Sequence, residues 1–202
     1  MRRTCWSLVY TLLIAAPPLA AQSADRTWSI AATASLTGFR GAALDTTVDG
    51  GIAVRPSQGL ALDLALARRW GPWALSIGAN YLPTHIEAVS SDVAVQTRTE
   101  SLDRVRLAIL VGHRVAQVGS ARFELRAGPV LDNWSTEGSD GRTTAGGQLQ
   151  LALQLPVGGM TLENVMGFGW SPGPFREEEL PAGYRREGLR TTTVGMGIKV
   201  GL

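Results

Sequence analysis

The last eleven residues, Thr192 to Leu202, alternate strictly between two kinds of side chain. Successive side chains of a β-strand point to opposite sides, so a period of two indicates a strand with two different faces. The final strand therefore requires neighbours with the same two-sided character. Its largely apolar face comprises Thr192, Val194, Met196, Ile198, Val200 and Leu202, and its other face comprises Thr193, Gly195, Gly197, Lys199 and Gly201.

Residues 1–21 have the composition of a secretory signal peptide. Arg2 and Arg3 precede an apolar stretch from about Trp6 to Ala16, and small residues follow at Ala20 and Ala21, where we expect cleavage. The apolar stretch is shorter than the roughly 20 residues that a membrane-spanning helix needs, which argues against an anchor. We therefore expect an exported protein whose folded domain covers residues 25–202.

The charge of the exported domain is balanced. The chain has 19 Lys and Arg residues, and subtracting Arg2 and Arg3 leaves 17 against 17 Asp and Glu. The whole-chain pI of about 9.1 therefore gives no argument for a nucleic-acid partner. Cys5, the only cysteine, lies in the signal, so the exported domain has neither a disulfide nor a thiolate metal site. It also has no run of about 18 apolar residues of the kind that forms a transmembrane helix.

Alternation of period two recurs along the exported domain, and no segment keeps a helical period. Each alternating segment is close to the roughly 9–11 residues that cross a bilayer as a tilted strand. We predict eight strands, at Thr27–Phe39, Gln58–Arg68, Trp73–Leu82, Leu102–Val115, Arg122–Leu131, Thr143–Leu155, Met160–Trp170 and Arg190–Leu202.

The connections between these strands alternate in length. Eight up-and-down strands with both termini at one end have three turns at that end and four loops at the other. Short periplasmic turns and long external loops are typical of outer-membrane barrels. The pattern predicts an all-β, eight-stranded antiparallel transmembrane β-barrel. Its short turns are Arg69–Pro72, Ala116–Ala121 and Pro156–Gly159, and its long loops are Arg40–Ser57, Pro83–Ser101, Asp132–Arg142 and Ser171–Leu189.

Aromatic residues cluster at the predicted strand ends, as in the two girdles that flank the apolar band of such barrels. Trp28 and Phe39, at the two ends of the first strand, are an odd number of residues apart and therefore point to opposite faces. The same holds for Phe123 in the fifth strand and Trp134 just beyond it. Without a bulge, not every ring therefore faces lipid. The expected periplasmic girdle is Trp28, Trp70, Trp73 and Phe123, and the expected outer girdle is Phe39, Tyr81, Trp134 and Trp170.

The polar face of the strands carries charges separated by many small residues. A narrow eight-stranded interior has just enough room for side chains, and small neighbours suit it better than they suit a solvated surface. Buried charges require partners, and here both signs are present. A soluble lipocalin-like barrel, with the apolar face turned inward, is the alternative. The predicted lumen charge network is Asp63, Arg104, Arg106, Glu124, Arg126, Glu163 and Lys199.

Taken together, residues 25–202 resemble the small outer-membrane β-barrel class, the OmpA/OmpX/OmpW-like proteins. That class usually closes with apolar residues at every second position and a terminal aromatic residue, which the barrel-assembly machinery recognises; here Leu202 replaces the aromatic residue. The resemblance implies insertion into the outer membrane of a Gram-negative cell, with outer-membrane lipid, lipopolysaccharide and the assembly machinery as partners. The expected assembly signal is Val194, Met196, Ile198, Val200 and Leu202.

Candidate catalytic residues are few. His85 lies near Glu87 in the second long loop, where a solvated surface histidine is the expected role. His113 follows the outward parity of the fourth strand near its periplasmic end. A barrel enzyme acting on membrane lipid would need a serine beside it, and none can be assigned from the sequence.

Metal and cofactor sites are not indicated. Two scattered histidines without a cysteine do not supply a zinc site. The glycines at 195 and 197 belong to strand alternation and form no phosphate loop, so we expect no cofactor. Four aspartates assigned to loops lack the spacing of a calcium loop; they are Asp45, Asp49, Asp132 and Asp140.

The fourth long loop is dense in charge. Its arginines suit lipopolysaccharide phosphates, although a solvated loop accounts for the same residues. We expect a monomeric, non-enzymatic barrel with a largely side-chain-filled lumen and an envelope-structural or surface-interaction role. A narrow transport barrel and a lipid-modifying enzyme are the alternatives. The loop charges are Arg176, Glu177, Glu178, Glu179, Arg185, Arg186, Glu187 and Arg190.

Overall fold

The computed structural model describes residues 28–47, 51–90, 94–136, 141–180 and 182–202. The predicted signal peptide, residues 1–21, lies outside the described residues. The described elements are strands β1 Trp28–Arg40, β2 Ala43–Asp45, β3 Ala53–Pro56, β4 Gly59–Trp70, β5 Trp73–Val89, β6 Ala94–Val118, β7 Ala121–Thr136, β8 Arg142–Val157, β9 Met160–Pro172, β10 Tyr184–Arg186 and β11 Gly188–Gly201, and a short 3₁₀ turn at Glu177–Glu179.

Eight of the strands close into a ring. β1 pairs with both β4 and β11, and every pairing around the ring β1-β4-β5-β6-β7-β8-β9-β11 is antiparallel. The closing strand lies in register with both neighbours, so that Met196 faces Ala34 on one side and Asn164 on the other. At the end of the chain the Leu202 amide donates a hydrogen bond of 3.0 Å to the Trp28 carbonyl. The predicted eight-stranded antiparallel barrel is confirmed.

Three tight turns join the strands at the end where both described termini lie. Each has two residues, Gly71-Pro72, Gly119-Ser120 and Gly158-Gly159, and is shorter than predicted. The first glycine has a φ of +57° to +61° in all three. A glycine at the first central position characterises the type II′ turns that match strand twist.

The strands extend beyond the predicted bounds at the opposite end. β5 and β6 continue as a paired hairpin across most of the segment predicted as the loop Pro83–Ser101, with a register shift after His85. The placement of His85 and Glu87 in a loop was therefore wrong, since both lie in β5. The sequence of residues 83–101 has no long alternation of apolar and polar residues, so a strand there could not be predicted from the pattern.

A small sheet occupies the same end of the barrel. It consists of β10, β2 and β3, joined to the outer part of β5. The Arg55 side chain in β3 donates a hydrogen bond of 2.7 Å to Glu87 in β5. Thr47 donates to the Asp45 carboxylate from its amide at 2.8 Å and its hydroxyl at 2.7 Å, and these bonds lower the pKa of Asp45. Two predicted long loops, Arg40–Ser57 and Ser171–Leu189, therefore contain strands.

The two faces of the barrel wall are opposite in character. The apolar face points outward, with Leu64 63% and Met196 59% exposed, whereas Arg104 and Glu163 point inward and are almost fully buried. A continuous apolar outer surface of this kind suits lipid. The alternative of a soluble barrel with its apolar face inside is therefore wrong. Among the described residues, no helix is long and apolar enough to span a membrane.

Not all of the predicted girdle faces lipid. Trp28, Trp73 and Trp170 are exposed on the outer wall, but Phe39 and Trp134 are only 5% and 2% exposed. The assignment of Phe39 and Trp134 to the outer girdle was wrong, because both side chains lie on the inward-facing side of their strands. They instead form part of an internal apolar cluster.

Candidate functional site

The interior of the barrel is filled in three successive layers. We name them the periplasmic charge cluster, the central polar cluster and the outer apolar cluster, in order from the turn end to the loop end. The periplasmic charge cluster is Arg69, Glu124, Arg126, Gln154 and Glu163; the central polar cluster is Ser35, Asp63, Asn80, Arg104, Arg106 and Asp132; the outer apolar cluster is Phe39, Ala42, Ala61, Leu82, Leu102, Trp134 and Leu189.

The periplasmic charge cluster is centred on Arg126. Its Nη1 and Nη2 donate to the Glu163 Oε1 and Oε2 atoms at 2.9 Å and 2.5 Å, and its Nε donates to Glu124 Oε1 at 2.7 Å. Arg69 binds the other oxygen of Glu124, and Gln154 donates to Glu163 at 2.9 Å. The bidentate pairing gives charge-assisted bonds with a fixed geometry. Four strands, β4, β7, β8 and β9, are thus joined across the lumen.

The central polar cluster contains a second bidentate pair. Arg106 donates from Nε and Nη2 to the two Asp132 carboxylate oxygens at 2.6 Å and 2.9 Å. Asp63 has a different environment, since it accepts hydrogen bonds from Ser35 at 3.0 Å and Asn80 at 2.8 Å. The buried carboxylates of this layer therefore all have hydrogen-bond donors, which burial requires.

Arg104 connects the central polar cluster to the outer apolar cluster. Its Nη2 donates to Asn80 Oδ1 at 2.9 Å, and its guanidinium carbon lies 5.4 Å and 5.6 Å from the ring centroids of Phe39 and Trp134. These distances are those of cation–π contacts. One arginine therefore satisfies polar groups on one side and packs on aromatic rings on the other.

The outer apolar cluster lies at the loop end of the lumen. The Phe39 and Trp134 rings are tilted by 59° with centroids 6.0 Å apart, and Leu82 and Leu189 are fully buried. Phe175, from the segment before β10, packs against the cluster, and its carbonyl accepts a hydrogen bond from Arg142. Side chains from the barrel wall and the loop end thus fill this level together.

The cavity that lies inside the barrel is small. A cavity of about 80 Å³ lies among Asp63, Asn80, Arg106, Arg126 and Glu163. Ligand pockets in proteins are typically about 300–1,000 Å³. The cavity therefore suits a small number of water molecules and not a solute.

Six of the seven charged residues predicted for the lumen are divided between two clusters. Glu124, Arg126 and Glu163 meet in the periplasmic charge cluster. Asp63, Arg104 and Arg106 contribute to the central polar cluster. Lys199 lies on the inward face of β11 but forms no direct ion pair with a described residue.

Two ionic members of these clusters were missed in the sequence. Asp132 was assigned to a loop, yet it lies in β7 with no solvent exposure. Its parity matches that of Glu124 and Arg126, and this signal identifies it once the strand is extended. Arg69 was assigned to a turn, whereas β4 continues through it to Trp70.

The residues expected to form the assembly signal all project from the outer face of the closing strand. Their exposed fractions range from 45% for Val200 to 64% for Leu202. Their role in assembly stays a prediction, because the fold shows where they lie and not what recognises them.

His113 also lies on the outer wall, near the turn end of β6. Its ring packs on Trp73, with centroids 4.4 Å apart and a tilt of 58°. The geometry places an aromatic neighbour beside the imidazole. Across the part of the chain that the structure describes, no three His, Cys, Asp or Glu side chains are grouped to hold a metal ion.

Comparison with known proteins gives similarity in fold only. No family model and no curated protein matches the sequence. The crystal structure of Neisserial surface protein A matches with a TM-score of 0.59 and 10% sequence identity over 87% of this chain and 97% of that chain. The outer membrane protein OprG from Pseudomonas aeruginosa matches with a TM-score of 0.48 and 10% sequence identity over 87% of this chain and 96% of that chain. The attachment invasion locus protein Ail of Yersinia pestis matches with a TM-score of 0.45 and 9% sequence identity over 85% of this chain and 97% of that chain.

The fold is therefore that of the small outer-membrane β-barrels. The match to the Neisserial protein covers nearly the whole of that chain, and the apolar outer wall with its aromatic residues is the membrane-facing surface. The chain has the fold of the small outer-membrane barrels, with short turns at one end and a folded loop region at the other.

Proposed function

We propose that the protein is a closed, non-enzymatic, monomeric outer-membrane barrel that acts through its loop end and outer wall in envelope structure or surface interaction. The observation that carries this proposal is the filling of the lumen by three layers of side chains. Ion pairs form within the lumen in both charged clusters, a cavity of about 80 Å³ lies among their side chains, and the outer apolar cluster lies on the loop side of both.

The energetics of the lumen support a permanently closed state. Opening a route past Arg126 would separate it from Glu163 and Glu124, and breaking a buried ion pair costs about 3–5 kcal/mol. A second route past Phe39 and Trp134 would expose aromatic rings to water. Both layers therefore oppose opening of the lumen.

Conductance in planar lipid bilayers tests the closed lumen. We expect the refolded protein to give no large, steady channels, and a Phe39→Gly/Trp134→Gly variant to increase brief openings by removing the outer layer. A matched variant, Trp170→Gly, removes an aromatic ring from the outer wall and should leave conductance unchanged. Stable channels in the unaltered protein would overturn the proposal.

The two alternative functions make different demands on the structure. Transport through the lumen needs a space larger than the 80 Å³ cavity and a route past the outer apolar cluster. A lipid-modifying enzyme depends on His113, whose described ring contact is Trp73. We expect His113→Ala to leave the lipid composition of the membrane unchanged, and a changed composition would favour the enzyme.

A further inference from the structure

One row of side chains crosses five strands on the outer wall near the loop end. Backbone register places Pro129 opposite Gly147, Gly147 opposite Trp170, Trp170 opposite Arg190, and Arg190 opposite Arg40. All five belong to the outward-facing set of their strands. The row thus places a proline, a glycine and a tryptophan beside two adjacent arginines.

The two arginines are neighbours of like charge. Directly opposed like charges destabilise an antiparallel pair, so their position needs a compensating anion. Both side chains are exposed, and neither forms an ion pair with any residue that the structure describes. In the lumen, by contrast, Arg106 and Arg126 each bind carboxylates.

A groove above the row is lined by basic residues. Arg40, Arg185, Arg186 and Arg190 line it together with Glu177 and Glu187, so that four positive charges face two negative charges. Glu187 lies 3.5 Å from Arg185 and is therefore engaged away from the opposed arginines. An excess of positive charge remains beside Trp170, which also lines this groove.

A second groove, below the row, is apolar. It has a volume of about 400 Å³ and is lined by Ala127, Pro129, Gly147, Leu149 and Trp170. The Trp170 indole lies across Gly147, where a Cβ atom would be only 2.3 Å from the ring. Glycine at this position therefore lets the indole lie against the wall, between the basic groove and the apolar groove.

We propose that this part of the wall binds a phosphorylated lipid of the outer leaflet, with the chemistry of lipopolysaccharide. Arg40 and Arg190 donate to a lipid phosphate, because guanidinium groups match phosphate oxygens in geometry and charge. An acyl chain lies in the apolar groove, and Trp170 occupies the boundary between headgroup and chain. The inference rests on the outer-membrane placement of the barrel and adds a defined lipid site to it.

Lipid binding to the full barrel in detergent micelles tests the site. Native mass spectrometry would follow titration with lipopolysaccharide, with phosphatidylcholine and with inorganic phosphate. We expect Arg40→Gln/Arg190→Gln to weaken lipopolysaccharide binding by about tenfold or more, since hydrogen bonds to charged groups are lost. Ala127→Phe, which fills the apolar groove, should weaken it as well.

Arg68→Gln is the matched control. Arg68 is an exposed arginine that lies 5.5 Å from the Trp28 ring at the turn end of the same wall. A loss as large as that of the double variant would mean general charge attraction and overturn the site. Equal affinity for inorganic phosphate and lipopolysaccharide, or no effect of Ala127→Phe, would also overturn it.

Conductance separates this inference from the closed-lumen proposal. Arg40 and Arg190 lie outside the lumen, so the double variant should conduct no more than the parent barrel. Failure of lipid binding with a closed lumen would therefore refute only the lipid site, whereas steady channels in the parent would refute only the closed barrel.

Discussion

The two ends of the barrel are built on opposite principles. At the turn end, two-residue turns join the strands and ion pairs among Arg69, Glu124, Arg126 and Glu163 fill the interior. At the loop end, the strands run on into a small sheet and an apolar cluster around Phe39 and Trp134 fills the interior. The same eight-stranded ring therefore accommodates either a charged or an apolar filling of its interior.

The difference shows what each kind of filling requires. A charged layer is stable only when every member has its partner, so its tolerance of single changes is low. An apolar layer depends on volume, and its loss of stability scales with the space that a change leaves. On the outer wall, arginines lie beside tryptophans at both ends, but among the described residues only the loop end brings two arginines into direct opposition.

The largest effect is expected from removing the central cation of the turn end. Arg126→Met leaves Glu124 and Glu163 without their shared partner and should lower the free energy of unfolding by about 3–5 kcal/mol. Urea unfolding in lipid vesicles, followed by tryptophan fluorescence, measures it. As a control, Glu124→Gln/Arg126→Met/Glu163→Gln should recover much of the loss. A loss that the triple variant does not reduce would contradict unpaired charge as the cause.

A somewhat smaller effect is expected at the loop end. Leu82→Ala leaves a space in the outer apolar cluster and should lower the free energy of unfolding by about 3 kcal/mol. Leu64→Ala, a change of the same size on the lipid-facing wall of β4, is the control because lipid refills the space. The same unfolding measurement compares the two. Equal losses would show that Leu82 is not packed in a closed interior.

The turns should respond more weakly. Gly71 has a φ of +57° and free space around its Cβ position, so Gly71→Ala introduces backbone strain without a clash. We expect a loss of about 1–2 kcal/mol in the free energy of unfolding. Gly38→Ala, in open space at the loop end of β1 without a positive φ, is the matched control and should cost almost nothing. The reverse order of effects would contradict the assigned turn geometry.

The smallest effect on stability is expected at Leu202, although the effect on assembly should be clear. A charge near the membrane interface costs about 0–1 kcal/mol, so Leu202→Asp should fold in vitro. In cells we expect less heat-modifiable barrel in the outer-membrane fraction, because the final strand is the proposed assembly signal. Val118→Asp, exposed at the same end but in β6, is the control. If the Leu202→Asp and Val118→Asp variants assembled to the same extent, Leu202 would have no special role in assembly.

Much of the charge placement was accessible from alternation alone. Glu124 and Arg126 lie two residues apart on the polar face, and in the structure both point into the lumen, where they pair with each other. Asp132 was missed because the predicted strand ended at Leu131, whereas β7 continues to Thr136. The contacts of Arg126 with Glu163 could not be predicted, because parity assigns a face to each residue and gives no height along the barrel axis.

The sequence by itself determined the number of wall strands, the closing strand and the face on which each side chain lies, because alternation reports directly on the pleat. The tertiary structure alone decided which charges meet, which rings close the lumen and which arginines oppose each other. Those contacts depend on the stagger between strands distant in the chain. Phe39 and Trp134 are an example of such contacts. Only the closure of the barrel brings their ring centroids to 6.0 Å from each other and places Arg104 against both rings.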